Sequence, residues 1–174
     1  MQKIAKVVIP IITCLILWGW LMTSIRCNRL EGFAYISFVT NLERIHLAIV
    51  TYANEHSGKM PDSQNWADIL MDNQKLIMKG DFVSSVSHPS FGVVYNRNLS
   101  GRQYSELKSN CVVLFEGKGQ WNATGGKNTF YGYAFRRKQS YLVTLNGDIY
   151  YFSSGVMMRL KDDVHIDPNN LIWE

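Results

Sequence analysis

The stretch Val7–Ile25, VVIPIITCLILWGWLMTSI, holds no charged residue, and nothing else in the chain constrains its architecture as strongly. As a helix rising 1.5 Å per residue it would span roughly 28 Å, about the hydrocarbon thickness of a bilayer. It reads as a transmembrane segment. Pro10 falls in its first turn, Gly19 is tolerable in a membrane helix, and Trp18 and Trp20 suit an interface with water. Lys3 and Lys6 precede the run as they would in a cleaved secretory signal, yet the run is longer than the usual signal core and no small-x-small pair follows it. Arg26 also stands before Cys27 where a lipoprotein cleavage box needs a small residue. The expected organisation is residues 1–6 on one side, 7–25 across the membrane, and 26–174 as one water-exposed domain. Lys3 and Lys6 are balanced by Arg26 and Arg29, so the charge rule alone leaves the orientation open.

A chain of 174 residues, 47% hydrophobic and 18% charged, suits one compact domain plus an anchor. The formal charge of +4 is mild and the basic residues are scattered, which argues against a nucleic-acid footprint. Arg136-Arg137-Lys138 reads as a solvated loop. Three cysteines, at 14, 27 and 111, match neither a disulfide framework nor a zinc or dithiol spacing.

Beyond the anchor, Tyr35, Phe38, Leu42, Ile45, Ile49 and Tyr52 recur three and four residues apart, as one face of an amphipathic helix requires. Ser57-Gly58-Lys59-Met60-Pro61 ends it, with Gly58 free to adopt a left-handed cap and Pro61 preventing continuation. A nearly continuous helix from the anchor to about His56 is expected, its first half in lipid and its second half on protein. Pro61-Asp62-Ser63 then offers an N-cap for a short helix carrying Trp66, Ile69 and Leu70. The period changes afterwards, with strands expected near Gly92–Tyr95, Cys111–Glu116, Thr129–Phe135, Ser140–Leu145 and Asp148–Phe152. Asn146-Gly147 signals a tight hairpin between the last two, and Gly125-Gly126 reads as a loop needing positive φ. The fold class is α+β, a long helix and a short one followed by an antiparallel sheet.

Little chemistry is evident. The histidines at 46, 56, 88 and 165 form no metal-protease pair, no serine sits in a nucleophile elbow, and the glycines match no phosphate loop or dinucleotide fingerprint. An enzyme is not expected. The one ligand-like set is Asp163, His165 and Asp167, which would share a face if extended and could hold a divalent cation such as calcium. A solvated edge strand is the plainer reading of those residues. Asn98-Leu99-Ser100 and Asn122-Ala123-Thr124 fit the glycosylation sequon, which matters only in a eukaryotic secretory pathway.

Two blocks carry a resemblance. Asn41-Leu42-Glu43-Arg44-Ile45-His46-Leu47-Ala48, continuing into Tyr52-Ala53 and Ser57-Gly58-Lys59-Met60-Pro61, is similar to a segment of the pseudopilin-like proteins of planctomycete-type bacteria. Val113-Leu114-Phe115-Glu116, Trp121-Asn122 and Gly125-Gly126 resemble the same group's mid-domain signature. The whole order resembles type IV pilins and type II secretion pseudopilins. That resemblance implies a pilin-like α+β fold, an N-terminus inside the cytoplasmic membrane, an exported domain, and partners among membrane lipid and other secretion-system or pseudopilin-like proteins. Lateral helix packing would use Tyr35, Phe38, Leu42 and Ile45 where the domain does not cover them. The chain departs from the family in having no Gly-Phe-x-x-x-Glu site before the apolar run, and in placing Arg136, Asn146-Gly147 and Asp148 where relatives carry His, nine residues and Asp-Gly-His. The rival reading is a stand-alone, membrane-anchored module binding a ligand or cation through Asp163, His165 and Asp167.

Overall fold

The computed structural model describes residues 36–73, 77–83, 91–119, 121–134 and 139–173. The chain divides into two compact units, Met1–Ser37 and Phe38–Glu174, and the account below concerns the second. The apolar run Val7–Ile25, expected to be an anchor, together with Tyr35, Cys14, Cys27, His88 and Arg136-Arg137-Lys138, lies outside the described residues. Among those described, no helix is long and apolar enough to cross a membrane.

Helix α1, described over residues 36–55, is followed by α2 (Trp66–Asn73) and then by the strands and one further helix. These are β1 (Phe91–Asn96), β2 (Val112–Lys118), β3 (Thr124–Gly125), α3 (Lys127–Ala134), β4 (Gln139–Thr144), β5 (Ile149–Ser153), β6 (Val156–Arg159) and β7 (Val164–Ile166). The strands form one sheet in the order β3-β1-β2-β4-β5-β6-β7, antiparallel throughout except for the parallel β1–β3 pair. The α+β class follows.

Both faces of the sheet are covered, because its central strands are apolar at successive positions and not only at alternate ones. Burial in β2 and β4 is nearly continuous, the pattern of strands with no wet side. On one face lies α1, whose Phe38 ring meets Tyr141 edge-on at 5.9 Å, and α2, whose Trp66 stacks on Tyr95 at 5.4 Å. On the other, Val94, Phe115, Leu142, Tyr150, Phe152 and Met157 cluster with Phe130 of α3 and with Leu171 and Trp173 of the C-terminal strap. Register agrees with this division: Phe115 pairs with Leu142 and Leu142 with Tyr150, while Tyr141, one residue away, must point to the opposite face.

The end of α1 forms as its sequence leads one to expect. Ser57 and Gly58 both take positive φ, at 57° and 80°, and the Gly58 amide donates back to the Ala53 carbonyl at 2.7 Å, closing the last turn. The hairpin at Asn146-Gly147 is tight, but its class differs from a two-residue turn. The Gly147 amide donates to the Thr144 carbonyl at 2.9 Å and only Gly147 of the loop is left-handed, at 84°, so the loop is a turn closed by a glycine bulge.

Three expectations need correction. Thr129–Phe135 was expected as a strand, yet Lys127–Ala134 is helical. The Thr129 and Phe130 amides donate to the Gly126 carbonyl at 2.9 and 3.1 Å, and the turn so begun drops the Phe130 ring between Phe115 and Trp173, at 5.8 and 5.5 Å. Burial of that ring outweighs the local preference for strand. Second, neither Gly125 nor Gly126 has positive φ. Gly125 is required for space, since a Cβ there would stand 3.0 Å from Phe115 Cζ and 3.0 Å from Thr129 Cβ. Third, the cap of α2 is not supplied by Pro61-Asp62-Ser63. Asp62 accepts from the Gln64 amide at 2.8 Å, while the amides of Ala67 and Asp68 donate to Asn122 Oδ1 at 2.8 and 3.3 Å.

Candidate functional site

Helix α1 spaces Phe38, Leu42, Ile45 and Ile49 by four, three and four, which brings them onto one stripe. All four are buried against the rest of the domain. Phe38, Leu42 and Ile45, expected to serve lateral packing only where the domain leaves them uncovered, are turned inward and covered by the domain. At these three described positions the domain leaves no surface for a second chain, and Tyr35 lies outside the described residues. The outer face of α1 instead presents Glu43, Leu47 and Asn54, with Leu47 at 64% exposure. Leu47 breaks the three-four spacing of the inner stripe, which was the available signal that it points elsewhere.

Two polar contacts fix α1 laterally. Arg44 Nη1 donates to Asp81 Oδ1 at 2.9 Å, and the same carboxylate takes the Met78 amide through Oδ2 at 2.9 Å. Asp81 is buried, so the Arg44 charge and the Met78 amide offset the cost of desolvating it. Further along, His46 Nε2 lies 3.0 Å from the Leu145 carbonyl. Burial pushes the His46 pKa down, and the Leu145 carbonyl works against that shift without cancelling it.

The Trp121-Asn122 block joins α2 to the sheet. Trp121 Nε1 donates to Asp68 Oδ1 at 2.6 Å, Asn122 Nδ2 donates to Asp68 Oδ2, and Trp66 Nε1 donates to the Ala123 carbonyl at 3.1 Å. Asn122 accepts at φ 58°, a conformation that asparagine tolerates better than most residues. The Trp121 and Asn122 donors hold the Asp68 carboxyl below its ordinary range. Rings continue from there, Phe82 meeting Trp121 at 4.9 Å and Trp66 at 5.3 Å, and Lys79 Nζ sits 5.2 Å from the Trp121 ring centre. Every polar atom named here has a structural partner, so the block is a clamp. Sequence reading singled out Trp121-Asn122 by resemblance but not its contact with Asp68, which lies over fifty residues earlier.

The acidic tail is dispersed. Asp163 has φ 53° in the turn after β6, His165 is exposed within β7, and Asp167 accepts from the Asn169 amide at 2.9 Å to cap the short helix Pro168–Asn170. The left-handed residue at 163 ends the extended run that would have aligned all three. Among the described residues, no group of three His, Cys, Asp or Glu side chains is placed to hold a metal ion. No family model, curated protein or solved structure matches this chain. Nearby, Arg159 binds Asp162 through two nitrogens at 2.9 and 2.6 Å and reaches Asp148 at 3.6 Å. That fork ties the β6–β7 turn to the turn of the β4–β5 hairpin.

Proposed function

We propose that this chain is a non-enzymatic, pseudopilin-like protein, anchored in the cytoplasmic membrane by Val7–Ile25, whose exported domain contributes to a secretion or pilus-type assembly. The observation that carries the reading is the element order along one chain. An uncharged apolar run is followed by an amphipathic helix whose inner stripe forms the core of an antiparallel-sheet domain. The resemblance of Asn41–Ala48 and of Val113–Glu116 with Trp121-Asn122 supports the same assignment. On this reading, contacts with partners fall on the outer face of α1, at Glu43 and Leu47, because Phe38, Leu42 and Ile45 are covered.

Carbonate washing of membranes, followed by protease treatment of spheroplasts, tests the anchor and its direction. The chain is expected to stay in the pellet and to lose its domain to external protease. Extraction as a soluble species, or protection of the domain, would overturn the proposal. Assembly is tested by cysteine cross-linking from Leu47→Cys. Cross-links to a secretion-system protein or to a second copy are expected from Leu47→Cys but not from Ile45→Cys, whose side chain is buried.

A further inference from the structure

We infer that His46 makes the docking of α1 on the β4–β5 turn acid-sensitive, so that adding a proton to its ring loosens the helix from Leu145–Gly147. The inference stands on the described domain and does not depend on the membrane reading. A carbonyl only accepts, so the 3.0 Å contact with Leu145 requires a hydrogen on Nε2. Nδ1 is then the atom that takes the titrating proton. It faces the turn: a Cβ built on Gly147 would stand 3.3 Å from His46 Cε1 and 3.6 Å from Nδ1, so the ring packs closely over the bare backbone of residue 147.

The turn cannot follow the ring freely. Its Leu145 and Asn146 amides donate to the carbonyls of Cys111 and Ser109 at 2.8 and 3.1 Å, and Asn146 Nδ2 holds Asp148 at 2.8 Å. A charged ring at this half-buried position is less fully hydrated than in the unfolded chain, and separation of helix from turn would restore that hydration. The charged groups carried by the surrounding elements are Glu43 and Arg44 on α1, Asp148 at the turn and Lys108 beside Ser109. Arg44 is bound to Asp81, and Asp148 receives Asn146 and Arg159. Burial lowers the ring's pKa and the Leu145 carbonyl opposes that shift. Since its folded pKa lies below the unfolded one, the His46 contribution to stability is complete above the ordinary imidazole value. It is lost as pH falls through the folded pKa.

The test compares the full chain, held in a neutral detergent, with His46→Gln at about pH 7.5 and about pH 5, a window that brackets the ordinary imidazole pKa. Glutamine keeps an N–H for Leu145 but does not titrate, and the variant retains the three other histidines. On acidification the wild-type Tm is expected to fall about 2–4 °C further than that of the variant, with amide exchange at Leu145–Gly147 accelerated in the wild type alone. An equal fall in both proteins would overturn the inference. Should the variant fail to fold, an NMR titration of the wild-type ring decides: a His46 pKa at or above the ordinary value rejects the switch.

Discussion

The two faces of the sheet are covered in different ways. The face under α1 is covered by two helices, chiefly by α1, whose apolar residues follow a single local rhythm, Phe38, Leu42, Ile45 and Ile49, with Trp66 of α2 stacked on Tyr95 beside it. The face under α3 is covered by pieces from distant parts of the chain, with Phe130 and Trp173 closing over Phe115 at 5.8 and 5.4 Å. The strap bearing Trp173 is itself tied down by the Val112 amide donating to the Ile172 carbonyl at 2.8 Å and by Asn98 Nδ2 donating to the Trp173 carbonyl at 2.6 Å. A local pattern suffices to cover one face, whereas the other depends on contacts that exist only once the sheet has formed.

Four substitutions probe that contrast, taken from the largest expected effect to the smallest. Phe115→Ala should cost about 3–5 kcal/mol, since it removes a ring from the centre of the aromatic cluster and leaves a cavity. Urea unfolding of the full chain measures it, and a cost below about 1 kcal/mol would mean that the strap does not close the face. Leu42→Ala should cost about 2–5 kcal/mol on the α1 face. Because the sheet separates the two sites, the double variant should be additive to within about 0.5 kcal/mol, and a larger coupling would show that the faces form one packed unit. Asn122→Ala should cost about 0.5–2 kcal/mol by uncapping α2, visible as faster amide exchange at Ala67 and Asp68 with the far face unchanged. Leu47→Lys should change stability by less than about 0.5 kcal/mol, yet reduce co-purification of partners if the outer face of α1 is the contact surface.

How much was legible differs in the same way. The helix through residue 55, its cap at Ser57-Gly58, α2 and four strands can all be read from period and punctuation, their bounds displaced by a residue or two. The β5–β6 hairpin was also readable and was missed. Ser154-Gly155 between two β-rich runs takes φ 51° and 85°, the pair of positive values that a two-residue hairpin turn demands. α3 was not readable, because Phe130-Tyr131-Gly132-Tyr133 favours strand locally and only the cluster with Phe115 and Trp173 favours helix. Among the candidate site residues, the stripe of α1 and its packing on protein were legible from spacing, whereas which of its positions the sheet covers was not. Asp163, His165 and Asp167 looked aligned only as long as the chain through residue 163 was taken to be extended.

By itself the sequence determined the apolar run Val7–Ile25, the amphipathic helix after it and the change to strand period, because each rests on interactions between near neighbours along the chain. Only the tertiary structure decided that both sheet faces are covered, that Asn122 caps α2, that residues 127–134 are helical and that His46 rests on Leu145 and Gly147. Each of those depends on groups brought together from far apart in the chain, which no local pattern records.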